Sequence, residues 1–177
     1  MEDSAQDLFD KQNNKNLKKI SREGLKYLYD KNILENTETF VRINSQKSEF
    51  YQHDVQTISS ILEKKSSIKG IFLPKVENYN QIKDCYDQLS TSKKNKFTIV
   101  PMIETEKGLK NLDKILLQDK FNDIIKYVHY GHYDFCLDSN FWPFPEPYHF
   151  EYWKIIEEIS KSVIKQKKKF EIKKKKI

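Results

Sequence analysis

Four charged side chains stand at the ends of four apolar runs, in phase along the chain. TFVRI (39–43) contains Arg42 and closes on Asn44 and Ser45, and GIFL (70–73) runs into Pro74, Lys75, Val76 and Glu77. FTIVPMI (97–103) delivers Glu104, and IIKYVHY (124–130) leads through Gly131 to Asp134. An arginine and a lysine hold anionic oxygens, whereas carboxylates hold protons or positive charge. One charged run-end is ordinary, and solvated loop starts are the plain alternative. Four successive ends carrying Arg, Lys, Glu and Asp point instead to a shared rim, because parallel strands of an α/β fold present their carboxyl ends on one face.

The elements that must position these groups follow from periodicity. The four runs read as strands about thirty residues apart, separated by helical patterns. Leu17, Ile20, Gly24, Leu25 and Leu28 recur at helical spacing before the first run. His53 to Leu62 carries Val55, Ile58, Ile61 and Leu62 on one stripe, and Asn80 to Leu89 carries Ile82, Cys85, Tyr86 and Leu89. Glu106 to Leu117 places Leu109, Leu112 and Ile115 inward. An aromatic and proline-rich loop, NFWPFPEPYHF (140–150), precedes a last helix over about 148–164. That loop reads either as part of a lid or as ordinary packing. Alternation of this kind predicts successive βα units around a parallel sheet. Nearly continuous strand hydrophobicity agrees, since such strands are covered on both faces.

Bulk properties narrow the class. The 177 residues suit one ordinary domain, and 37% hydrophobic with 13% aromatic residues suits a folded chain. No apolar stretch approaches the ~20 residues of a membrane helix, and the acidic opening MEDSAQDLFDKQNN lacks a signal-peptide core. Cys85 and Cys136 lie far apart without ligand-like spacing, so a cytoplasmic setting is expected. The net charge of +6 is misleading: residues 161–177 hold nine of the 32 basic residues and one of the 26 acidic ones. The preceding 160 residues therefore carry 23 basic and 25 acidic groups, a net of −2. A lysine run of this kind reads as a solvated end or a polyanion-binding arm. It has only Phe170 among its bases, so single-strand nucleic-acid binding is not expected.

With FVRINS (40–45), GIFLPKVEN (70–78), IVPMIETEKGL (99–109) and YGHYDFCLD (130–138) in this order and spacing, the sequence resembles the HpcH/HpaI aldolase and citrate lyase beta-subunit family. The opening Glu2-Asp3-Ser4 looks like that family's acidic strand end. The resemblance implies a (β/α)8 TIM barrel, here partial, with four to five of eight βα units. It also implies a lyase that makes or breaks carbon–carbon bonds beside a carbonyl, using Mg²⁺ or possibly Mn²⁺. Glu104 and Asp134 fall on the metal-ligand positions, and Arg42 on the position that contacts the substrate's oxyanion or carboxylate. Gly131 and His132 would touch substrate, and Glu2, Asp3 and Lys75 would support the ligands from behind. The implied substrates are small molecules, a 3-hydroxyacyl-CoA thioester or a 4-hydroxy-2-oxo acid, and the implied whole protein is a homo-oligomer.

The chemistry is reasonable for these residue types. Aldol or Claisen-type cleavage leaves an enolate, which a cation held by two carboxylates can stabilise. Arginine binds a developing oxyanion bidentately. Lys75 need not be a nucleophile and is expected in an ion pair, with Glu77 as the candidate partner. His129 is expected in the core, and His53 and His149 at helix starts on the surface.

The sequence also departs from the family pattern. The family's first strand with its arginine, the last βα units and a C-terminal acid have no counterpart, so a fragment is expected. Residues 1–165 are expected to form one partial-barrel domain and 166–177 a disordered tail. Two readings follow: a metal-dependent lyase, or an inactive remnant or interaction module of the same family.

Overall fold

The computed structural model describes residues 9–34, 36–64, 68–89, 97–119, 123–142 and 145–166, together with the backbone of 169–172. Helices and strands alternate through most of it: α1 (Lys11–Asp30), β1 (Thr39–Arg42), α2 (Tyr51–Lys64), β2 (Ile68–Leu73), α3 (Tyr79–Leu89), β3 (Thr98–Ile103) and α4 (Glu106–Gln118). Then come β4 (Tyr127–Tyr130), α5 (His132–Asp138), α6 (Phe150–Lys165) and β5 (Lys169–Ile172). The chain forms two compact units where one domain was expected. One holds residues 1–72 and 84–98, the other 73–83 and 99–177, so β2, α3 and β3 each contribute to both.

In the first unit β1 pairs in parallel with β2, Val41 opposite Ile71. Asp10 starts α1 by accepting the N–H groups of Gln12 and Asn13 at 2.8 and 3.0 Å, which satisfies donors that a helix start leaves orphaned. The helix packs on α2, whose Val55, Ile58, Ile61 and Leu62 are buried as the stripe predicts. Ile20 departs from the α1 stripe: it is 61% exposed, and the inward face is held by Lys18 and Tyr29 instead. Asp54, fully buried, accepts from Arg22 Nη1 (3.2 Å), from Asn44 N–H (2.8 Å) and from Asn44 Nδ2 (2.5 Å). A buried carboxylate needs such donors, and here they fasten the chain just past β1.

The second unit is a parallel array of β3, β4 and β5, with Met102 opposite His129 and Ile103 opposite Tyr130. Every residue of β3 is buried. Helix α4 packs on α6, whose Ile156, Ile159 and Val163 are buried. Asp119 closes the turn after α4: fully buried, it accepts from the N–H groups of Ile124 (3.0 Å) and Ile125 (2.8 Å) and from the Tyr79 hydroxyl (3.3 Å). His53 is exposed in the first turn of α2 and His149 precedes α6, as expected, while His129 in β4 is half-buried.

One stretch corrects the sequence reading, and another adds to it. The segment after Gly131, to which the sequence reading assigned no element, is the seven-residue helix α5. The stretch 166–177, expected to be disordered, includes β5, which pairs in parallel with β4 from Tyr127↔Lys169 to Tyr130↔Ile172. An unpaired strand edge is a row of donors and acceptors, and β5 satisfies the one that β4 presents. Residues 173–177, also assigned to the tail, lie outside the described residues.

Two predictions follow from this packing. Deleting residues 167–177 removes β5 and should lower the thermal midpoint by about 5 °C, from a few net backbone hydrogen bonds at roughly 1 kcal/mol each. An unchanged melting curve would show that the strand contributes nothing. Burial also pushes the Cys85 thiol up to about 12 and raises the hydroxyls of Tyr51 and Tyr130. The unfolded chain therefore releases these protons at lower pH than the folded one. Stability should be full below about pH 8.5 and fall steadily as pH rises toward 12, read as a declining urea midpoint.

Candidate functional site

Strand β3 ends on a carboxylate because that carboxylate is enclosed and satisfied. Glu104 is 1% exposed, and its Oε2 accepts the backbone N–H of Lys75 at 3.0 Å. The N–H of Gly131 donates to the Ile103 carbonyl at 3.1 Å, which carries the β3–β4 pairing one step past Tyr130. Gly131 thereby lies against Glu104, and a Cβ there would collide with the Glu104 Cγ and Oε1. Close approach requires the glycine, since its φ is an ordinary −96°.

Lys75 binds both carboxylates. Its ammonium lies 3.0 Å from Asp134 Oδ1 while its N–H holds Glu104. To do so its backbone adopts φ 53°. Four non-glycine residues among those described share that left-handed region; the other three are Asn32, Asp123 and Asn140, types that tolerate it. For a lysine the conformation costs about 1 kcal/mol. The neighbouring Val76 N–H donates to the Met102 carbonyl at 3.2 Å, so consecutive N–H groups fix this loop to the end of β3. The Glu77 carboxylate, the partner expected for Lys75, takes Lys107 at 3.0 Å.

The next helix is locked in the same place. Thr105 caps α4 by accepting the Gly108 N–H (3.0 Å), and Asp138, at the end of α5, accepts the Glu106 N–H (2.9 Å). A side chain at Gly108 would strike the Val76 carbonyl. Asp138 was not singled out from the sequence; its only signal was its place at the end of YGHYDFCLD.

His132 opens α5 within a cluster of aromatic and sulfur groups. Its Nδ1 is 3.2 Å from the Tyr130 hydroxyl and 3.6 Å from Cys136 Sγ, and its ring meets Tyr152 edge-on at 5.0 Å. Burial raises Tyr130, Cys136 and Tyr152, so their hydroxyls and thiol stay protonated at neutral pH. This cluster can exchange hydrogen bonds but offers no thiolate.

Lys75, Glu104, Gly131, His132 and Asp134 all belong to the second unit, and Arg42 closes β1 in the first. Glu2 and Asp3 lie outside the described residues. Among the described residues no group of three or more His, Cys, Asp or Glu is placed to hold a metal ion. Glu104 and Asp134 make two hard oxygen donors, and an ammonium already rests on one of them. That donor set fits Mg²⁺ or Mn²⁺, which commonly takes one or two protein carboxylates and leaves its other positions to water and substrate.

The family model for HpcH/HpaI aldolase/citrate lyase matches residues 8–172. The chain belongs to that family. No curated protein matches the sequence. Among solved structures, the chain is similar to RipC from Yersinia pestis at 12% identity and a TM-score of 0.67, covering 95% of this chain and 66% of that one. It is also similar to the M. tuberculosis protein CitE in complex with magnesium and acetoacetate: 14% identity, TM-score 0.65, with 95% of this chain and 61% of that one covered. The M. tuberculosis citrate lyase beta subunit complexed with oxaloacetate and magnesium gives 15% identity and a TM-score of 0.58, over 76% and 53% of the two chains. This chain thus spans between about half and two thirds of those family structures, and its α/β fold is a partial (β/α)8 barrel. Among the described residues no helix is long and apolar enough to cross a membrane.

The end of β3 is packed directly against Gly131. Gly131→Ala should destabilise the protein by about 2 kcal/mol through overpacking. Gly24→Ala, on an exposed helix face with nothing within 4 Å, should instead stabilise by roughly 0.5–1 kcal/mol. Denaturant unfolding of the pair measures both, and equal effects would show that Glu104 yields freely.

Proposed function

We propose that this chain carries the metal-binding part of a divalent-metal-dependent carbon–carbon lyase working in the cytoplasm. The observation that supports this most is the convergence of Glu104 and Asp134 on Lys75, at 3.0 Å in both contacts. Glu104 and Asp134 would hold Mg²⁺ or Mn²⁺. When bound, such an ion supplies Lewis-acid polarisation of the carbonyl beside the breaking bond. The remaining work falls to the chain's own residues. Arg42, permanently charged and fork-shaped, binds the substrate's carboxylate or the oxygen that gains charge. Gly131 leaves room beside Glu104, and His132 offers its ring to substrate as a hydrogen-bonding group. Enclosure of Glu104 keeps its carboxylate from wandering, so it costs little reorganisation during reaction. The substrate class is a 3-hydroxyacyl-CoA thioester or a 4-hydroxy-2-oxo acid, and the working form is a homo-oligomer.

A second reading, an inactive family member or interaction module, draws on one observation: Asp134 is already neutralised by a lysine of its own chain. Turnover separates the two. Under the lyase reading, cleavage of one of these substrates requires added Mg²⁺ and stops with EDTA. Arg42→Ala should lower kcat/KM at least about a hundredfold, near 3 kcal/mol, and Arg42→Lys should also be impaired. Turnover that survives both EDTA and Arg42→Ala would overturn the mechanism. Metal binding without turnover on any such substrate would favour the second reading.

A further inference from the structure

Lys75 does something at this site that its exposure alone would not predict. Its side chain is 44% exposed and could extend into water, yet its ammonium is folded onto Asp134, itself 29% exposed. The same residue spends a left-handed backbone, φ 53°, to present its N–H to Glu104. One residue therefore holds both carboxylates, Glu104 just past β3 and Asp134 in the first turn of α5, through two different groups. The N–H contact is fixed by the backbone, because the next N–H is tied to Met102. The ammonium contact is not fixed in that way: it sits on four flexible carbons at the surface.

We infer that Lys75 is a tethered cation which neutralises Asp134 when no metal is bound and gives up that carboxylate when a divalent ion arrives. This inference rests on the proposal that Glu104 and Asp134 bind the metal. Its basis is electrostatic: Asp134 Oδ1 cannot serve the ammonium and a divalent ion equally, and the two positive charges repel each other. Lys75 thereby sets the affinity of the site. It holds the ligands apart from other cations at low metal concentration and makes occupancy depend on the ion's ability to displace it. The N–H to Glu104 persists through the exchange, so Glu104 keeps its place while Asp134 changes partner.

The test uses the full chain and Mn²⁺ alone, with free Mn²⁺ counted by electron paramagnetic resonance. Lys75→Met removes the charge and keeps the bulk, and should bind Mn²⁺ on the order of fivefold more tightly than the wild type. Lys75→Arg keeps the competitor and should bind no more tightly than the wild type. Asp134→Asn with Glu104→Gln marks the baseline without the site. A second measurement needs no variant: acetylation of Lys75, followed by mass spectrometry, should accelerate when Mn²⁺ is added, because the ammonium is released. Equal or weaker Mn²⁺ binding in Lys75→Met, with acetylation unaffected by Mn²⁺, would overturn the inference and leave the metal site standing. Absence of binding in the wild type and in Lys75→Met alike would overturn the metal site itself, and this inference with it.

Discussion

A carboxylate placed at the end of a fully buried strand is the constraint on which the second unit is built. An ionised side chain with 1% exposure and no donors would cost several kcal/mol. The surrounding sequence answers that demand locally. Lys75 adopts a backbone most residues avoid so that its N–H can reach Glu104, and position 131 must be glycine so that the next strand end can lie against it. Thr105 and Asp138 then satisfy the first N–H groups of α4, so the helix leaves the strand at a fixed angle. The choices at Lys75 and Gly131 answer the carboxylate itself, whereas the caps answer the orphan donors that any helix start leaves.

The order of elements was legible in the sequence because it depends on hydrophobic period. The runs at 39–43, 70–73, 97–103 and 124–130 fall on the four strands β1 to β4, with β2 starting two residues earlier than its run. The α2 stripe buries all the residues it named, and the α4 stripe buries Leu112 and Ile115 while Leu109 is half-buried. Arg42 and Glu104 stand at the ends of β1 and β3 and Lys75 two residues past β2, as the strand boundaries predict, whereas Asp134 falls inside α5. What escaped was set by partners distant in sequence. Helix α5 has seven residues, too few for a periodic pattern to show. Strand β5 forms because β4 offers an edge, a fact of pairing that a lysine-rich composition conceals. The N–H contact of Lys75 with Glu104 goes with a left-handed backbone, which a lysine does not announce as glycine, asparagine or aspartate can. Asp119 and Asp54 were not singled out in the sequence, and only the folded chain shows each of them collecting donors from elsewhere.

Identity of 12–15% with structures that share the fold shows how little of the sequence the scaffold itself dictates. Core positions need only suitable volume and period, and many apolar residues meet that requirement. Strand ends are narrower in what they accept, because a charge there must find its counterpart within a few ångströms. Chemistry is therefore better argued from Lys75, Glu104, Gly131 and Asp134 than from the extent of the barrel.

The two units are threaded through one another along the chain, and this governs the order in which they can be made. Residues 73–83 belong with 99–177, while 84–98 belong with 1–72. During synthesis the first unit cannot be completed until residue 98 has left the ribosome. By then the first piece of the second unit has already emerged and must wait for its partners. Residues 73–83 then meet their partners one after another, Val76 and Lys75 at the end of β3, Tyr79 at Asp119 after α4, and the Lys75 ammonium last, at Asp134.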